Sequence, residues 1–157
     1  MRYLFFILLL FVFAQCEKFV MDRKYSLYLK NNTNHAIVYM IGENVYLIPT
    51  VYPDTTLGDH SWPINHTTTI ESSINKNLFG GSVKISDIVK DLPADTLSIY
   101  IFHIDTLQNN TWADIQADYK ILKRYDLSLE DLEYLDYKLS YPPDAKMSGV
   151  KMYPPYP

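Results

Sequence analysis

Residues 95–105 read DTLSIYIFHID, the strongest strand signal in the 157-residue chain. Leu97, Ile99 and Ile101 fall on one side at period two, and Tyr100, Phe102 and Ile104 fall on the other. A strand that is apolar on both faces has to be covered on both, which predicts a central position in a sheet.

Working outward, the flanking segments read as short elements with polar punctuation. KYSLYLK (24–30) alternates Tyr25, Leu27 and Leu29 against Ser26, Tyr28 and Lys30, a half-buried strand pattern. NNTN (31–34) is a turn cluster and HAIVYMI (35–41) a β-branched run, so 24–41 is expected to form a hairpin. VYLIPTVY (45–52) is a third strand interrupted by Pro49, 52–65 a surface loop, and HTTTIESS (66–73) a strand with a wet face. GGSVKISDIVKDLP (80–93) predicts a helix with Ser82 as cap and Pro93 at its end.

After the central strand, Thr111 with Asp114 predicts a capped helix, and ILKRYDL (121–127) alternates again. Ser128 with Asp131 predicts a second capped helix, stapled by Leu127 and Leu132. YKLSYPP (137–143) returns as a strand with Tyr137, Leu139 and Tyr141 facing one way. Six or seven short strands and about three short helices follow, without a βαβ rhythm. The expected class is mainly β (α+β): an antiparallel β-sandwich-like domain with short helices inserted in its connections. The length suits one domain: 24–143 globular and β-rich, with 144–157 a Pro/Tyr-rich tail, extended and only partly packed.

The N-terminus reads MRYLFFILLLFVFAQ (1–15), with Arg2 ahead of an apolar run too short to cross a bilayer as a helix. A secretory signal peptide is expected there, followed by a short tether over 16–23. Cys16 is the only cysteine, directly after the apolar run. Cleavage after Ala14 would leave a near-terminal thiol without a partner in its own chain. FAQC also resembles a bacterial lipobox, in which the cysteine becomes the first residue and carries acyl chains, although Gln15 and Phe13 depart from that pattern. The placement favours Cys16 as a lipid-attachment site and the membrane as a partner through that anchor.

The stretch DTLSIYIF (95–102), the run from Trp112 to Leu132 containing DYKILKRYDLSLEDL, and YPP (141–143) together resemble small exported proteins of Bacteroidetes-type bacteria, many of them predicted lipoproteins. The resemblance covers about a third of the chain, with the leader and the YPDTTL loop (52–57) besides. It implies a cell-envelope location and carries over no activity.

Composition excludes some functions. Lys and Arg number 14 against 18 Asp and Glu, a net charge of −4 with no basic, aromatic-studded patch, so nucleic acid is not an expected partner. His103 and Asp105 are the nearest thing to a metal pair, and His60 and His66 flank Trp62, but no H-x-x-x-H or H-E-x-x-H spacing occurs. No metal, cofactor or catalytic residue is therefore assigned; G-x-S-x-G, Walker and G-x-G-x-x-G patterns are also missing. Three N-x-T sequons begin at Asn31, Asn65 and Asn109 and matter only in a eukaryotic host. Tyrosine numbers 14, and Tyr153 and Tyr156 stand among the terminal prolines as a possible partner surface. The expected function is binding or structural interaction with a protein or glycan partner. The alternatives are a glycan-active hydrolase built from dispersed carboxylates, or an inhibitory or protective partner of an extracellular effector.

Overall fold

Period-two apolar spacing becomes strand and capping pairs become helix starts across the residues that the computed structural model describes: 23–42, 52–58 and 68–157. Among them are eight strands: β1 (Ser26–Asn31), β2 (Ile37–Gly42), β3 (Thr68–Ile70), β4 (Asn75–Gly80), β5 (Thr96–His103), β6 (Lys123–Ser128), β7 (Lys138–Tyr141) and β8 (Lys151–Tyr153). Four α-helices accompany them: α1 (Ile85–Lys90), α2 (Ile104–Asn109), α3 (Trp112–Asp118) and α4 (Leu129–Tyr134). The fold is mixed α+β, with strands outweighing helices, in two sheets ordered β4-β1-β7 and β3-β2-β5-β6-β8. The leader, Cys16, the strand expected over 45–52, His60, Asn65 and His66 lie outside the described residues.

The doubly apolar segment is the middle strand of the five-stranded sheet, antiparallel to β2 and β6. Leu97, Ile99 and Ile101 join Tyr125 and Leu127 of β6 in a cluster that also takes Leu27, Leu29 and Leu139 from the three-stranded sheet. Tyr100 and Phe102 face the other way, into a second cluster with Val38, Met40, Leu57, Leu107 and Ile115. One strand thus supplies two cores, as its sequence requires.

The expected hairpin does not form. β1 pairs with β4 and β7, whereas β2 pairs with β3 and β5, so the chain changes sheet between them. Asn31 is the physical reason. Its fully buried amide donates from Nδ2 to the carbonyls of His35 (2.8 Å), Ile70 (3.0 Å) and Glu71 (3.2 Å). Its Oδ1 accepts from the Thr33 amide (3.0 Å) and hydroxyl (2.7 Å). The bend from β1 to β2 and the bend from β3 to β4 are therefore tied to one side chain. The result is a corner between sheets, a known way for a strand to switch layers. A side chain so enclosed also leaves the Asn31 sequon no acceptor amide in the folded chain.

Other departures have local causes. β7 lies parallel to β1, against the expectation of antiparallel pairing throughout. The helix expected over 80–93 is the shorter α1, which starts after Lys84 without a side-chain cap; Ser82 is exposed and does not cap it. The capping boxes Thr111–Asp114 and Ser128–Asp131 both form, and Leu127 and Leu132 are both fully buried. The chain does not stay extended through Asp105: His103 Nδ1 accepts from the Asp105 amide (3.1 Å) and starts α2. The C-terminal segment is no loose tail. Met147 and Val150 belong to the main core, and β8 pairs antiparallel with β6.

Candidate functional site

The run KRYDLS of β6 is buried at all of its first five positions, charged ones included. Alternation sends Tyr125 and Leu127 toward the three-stranded sheet, which leaves Arg124 and Asp126 on the face covered by α2 and α3. Charges so placed must be paired, because an isolated buried ion is strongly disfavoured. Arg124 Nε donates to Asp126 Oδ2 at 3.1 Å, and Ser98, directly across on β5, donates its hydroxyl to Asp126 Oδ1 at 2.8 Å. Both carboxylate oxygens are thereby engaged.

The other end of the guanidinium holds a loop. Arg124 Nη1 donates to the carbonyl of Thr55 (3.3 Å) and to the Tyr119 hydroxyl, which itself donates to Thr55 O (2.7 Å). Tyr119 ends α3 in the left-handed region, at φ 49° and ψ 51°, where glycine is the usual residue. That backbone costs about 1–2 kcal/mol, offset here by the side-chain bonds it permits. Burial pushes the Tyr119 hydroxyl above its ordinary pKa, and the Arg124 charge works against that rise. One and two turns earlier on α3, Gln116 Nε2 donates to Leu57 O (2.7 Å) and Trp112 Nε1 to Gly58 O (2.9 Å). The 52–58 segment is a surface loop, exposed at Pro53, Asp54 and Thr56, that is clamped to α3 with Leu57 buried beneath.

Tyr153 completes the cluster from outside. It sits opposite Arg124 in the β6–β8 register, with its ring edge-on to Tyr119 (5.4 Å between centroids) and 5.9 Å from the guanidinium carbon. It remains 47% exposed, and Tyr156 is 36% exposed nearby in sequence. Lys123, on the opposite face of β6, donates to the Pro154 carbonyl (2.8 Å), and its burial lowers the ammonium pKa. Lys151 donates to the Tyr52 hydroxyl (2.6 Å) and stands 4.5 Å over that ring. Two successive cations of β6 therefore hold the terminal strand, while a third side chain joins it to the clamped loop.

Both Asp126 oxygens, Arg124 Nε and Nη1 and the Tyr119 hydroxyl are engaged within the chain, so these contacts position the 55–58 loop and Tyr153. Of the predicted site residues, Tyr153 is brought onto the Arg124–Asp126 pair and Tyr156 stays at the surface. Sequence reasoning missed Ser98, Tyr119, Arg124 and Asp126. The available signal was two opposite charges at period two inside an otherwise apolar strand. The His103 ring lies 4.6 Å from that of His35 at 35°, and its Nδ1 is 3.5 Å from Asp105 Oδ2. Among the described residues no three histidine, cysteine or acidic side chains converge on a metal site, and no helix is long and apolar enough to cross a membrane. Comparison with protein-family models, curated proteins and solved structures finds no match to this chain.

Proposed function

We propose that the chain is an exported, lipid-anchored domain of a bacterial cell envelope. In this reading Cys16 is the attachment point, the two sheets stack as a sandwich-like body, and the domain acts by binding a partner protein around Tyr153. The observation that carries the reading is the state of that ring: half exposed, yet fixed from behind by Tyr119 and the buried Arg124–Asp126 pair. A rigid aromatic ring loses little conformational freedom when it docks, and tyrosine is enriched among residues that dominate interfaces. The leader and the solitary cysteine behind it support the location.

Two substitutions test the two halves separately. Cys16→Ser is expected to move the protein from the membrane fraction to the soluble fraction; unchanged partition overturns the anchor. Tyr153→Ala is expected to cost more than about 1 kcal/mol of partner affinity, over fivefold, read as loss of the partner cross-linked to the wild-type domain in envelopes. Equal cross-linking yield from the variant overturns the surface.

A further inference from the structure

The outer face of the three-stranded sheet carries a groove of about 240 Å³ lined by Lys30, Asn32, Asn75, Lys138, Ser140 and Asp144, with Leu139 beneath. It lies on the sheet that does not carry Tyr153. In register, Lys30 of the middle strand stands between Asn75 of β4 and Ser140 of β7. An opposite charge directly across the sheet would stabilise a strand lysine, but both cross-strand neighbours here are neutral. The acidic groups nearby are committed elsewhere. Asp144 accepts from the Ser140 hydroxyl (3.0 Å) and the Lys146 amide (3.0 Å), and Asp136 pairs with Lys138 (3.1 Å). Among the described residues Lys30 has no ion-pair partner, although the chain as a whole is acidic.

We infer that this groove binds a compact polyhydroxylated acid, such as a uronic-type sugar acid, with its carboxylate on Lys30. The volume is below the roughly 300 Å³ at which drug-sized pockets begin, so the occupant is about one sugar residue. A single apolar side chain in the lining disfavours a greasy ligand. The Asn32 and Asn75 amides each offer donor and acceptor atoms suited to hydroxyl groups. Lys138, steadied by Asp136, adds donors at the far side. Lys30, Asn75, Lys138 and Ser140 stand on paired strands, which keeps these groups at fixed separations.

Isothermal titration of the full chain with galacturonic acid, galactose and glutamate tests the inference. Galacturonic acid is expected to bind, and galactose to bind at least about tenfold more weakly for want of a charge-assisted bond. Lys30→Gln is expected to remove that preference without changing the thermal midpoint, and Lys138→Gln to weaken binding by a smaller factor. Raising the salt concentration should weaken galacturonic acid binding, since the site is solvated. No heat with galacturonic acid at millimolar concentration, equal affinity for galactose, or an unchanged Lys30→Gln variant each overturns the inference. Glutamate binding as tightly as galacturonic acid would overturn its saccharide part.

Discussion

β5 and β6 are held differently on their two faces. Toward the three-stranded sheet the contacts are apolar volume: Leu97, Ile99, Ile101 and Leu127, with Tyr125 reaching across to donate to Ser140 O (2.7 Å). Toward α2 and α3 the same strands present Tyr100 and Phe102 beside Ser98, Arg124 and Asp126, joined into a chain of directional bonds. Apolar burial is non-directional and accepts any shape of about the right volume. The polar chain instead specifies partners, and its partners are two short pieces: the 55–58 loop and the three-residue β8. A short edge strand and an irregular loop bury little area of their own, so they depend on bonds that choose their position.

Breaking the polar face should have the largest effect. Asp126→Ala leaves the Arg124 guanidinium buried without a counter-charge and is expected to cost about 3–5 kcal/mol in urea unfolding. Converting both partners together, Arg124→Met with Asp126→Leu, should recover most of that stability while loosening the 55–58 loop, read as faster amide exchange there. A loss below about 1 kcal/mol for Asp126→Ala would mean that the pair behaves as a surface ion pair and the contrast between the faces fails.

A smaller effect is expected where the apolar face contains a cross-sheet hydroxyl bond. Tyr125→Phe removes the donor to Ser140 O and should cost about 1–3 kcal/mol. The same ring gives a pH test. Burial raises the pKa of Tyr125, and likewise those of Tyr39, Tyr119 and Tyr141. Unfolded tyrosines release their protons near pH 10 (roughly) while these four retain theirs. The folded state then binds more protons, and stability falls as pH rises above that value. Lys123 acts oppositely, because its lowered pKa makes the folded state release its proton first. Among the described residues four tyrosines against one lysine leave a net alkaline loss, and Tyr125→Phe should make the fall shallower. A fall of unchanged steepness, followed by denaturation at stepped pH, would contradict this assignment.

The smallest change probes volume alone. Ile99→Val on the apolar face is expected to cost about 0.5–1.5 kcal/mol, with the 55–58 loop exchange unaffected. If that loop responds as it does to the double variant, the two faces are not independent.

Legibility in the sequence followed the range of the interactions. The capping boxes at Thr111–Asp114 and Ser128–Asp131 and the two-faced β5 were readable because each rests on residues a few positions apart. β4 was missed because Asn75, Lys76 and Asn77 are polar; it is a sheet-edge strand whose partners, not its side chains, make it a strand. β8 was missed because it is three residues long among prolines. In the candidate site, composition singled out Tyr153, whereas ILKRYDL (121–127) was read only as an alternating segment, with no role given to Arg124 and Asp126.

By itself, then, the sequence determined the local units: which segments extend, where helices begin, and that one strand must be buried on both sides. These depend on period and capping, which neighbours in the chain decide. Only the tertiary structure decided which sheet each strand joins, because β1 and β2 part at a corner held by an Asn31 amide that bonds carbonyls some 40 residues away. It alone also decided that Thr55, Ser98, Tyr119, Arg124, Asp126 and Tyr153 meet. Their pairing pays the desolvation cost of a buried charge, and that cost is set by the whole fold rather than by any segment.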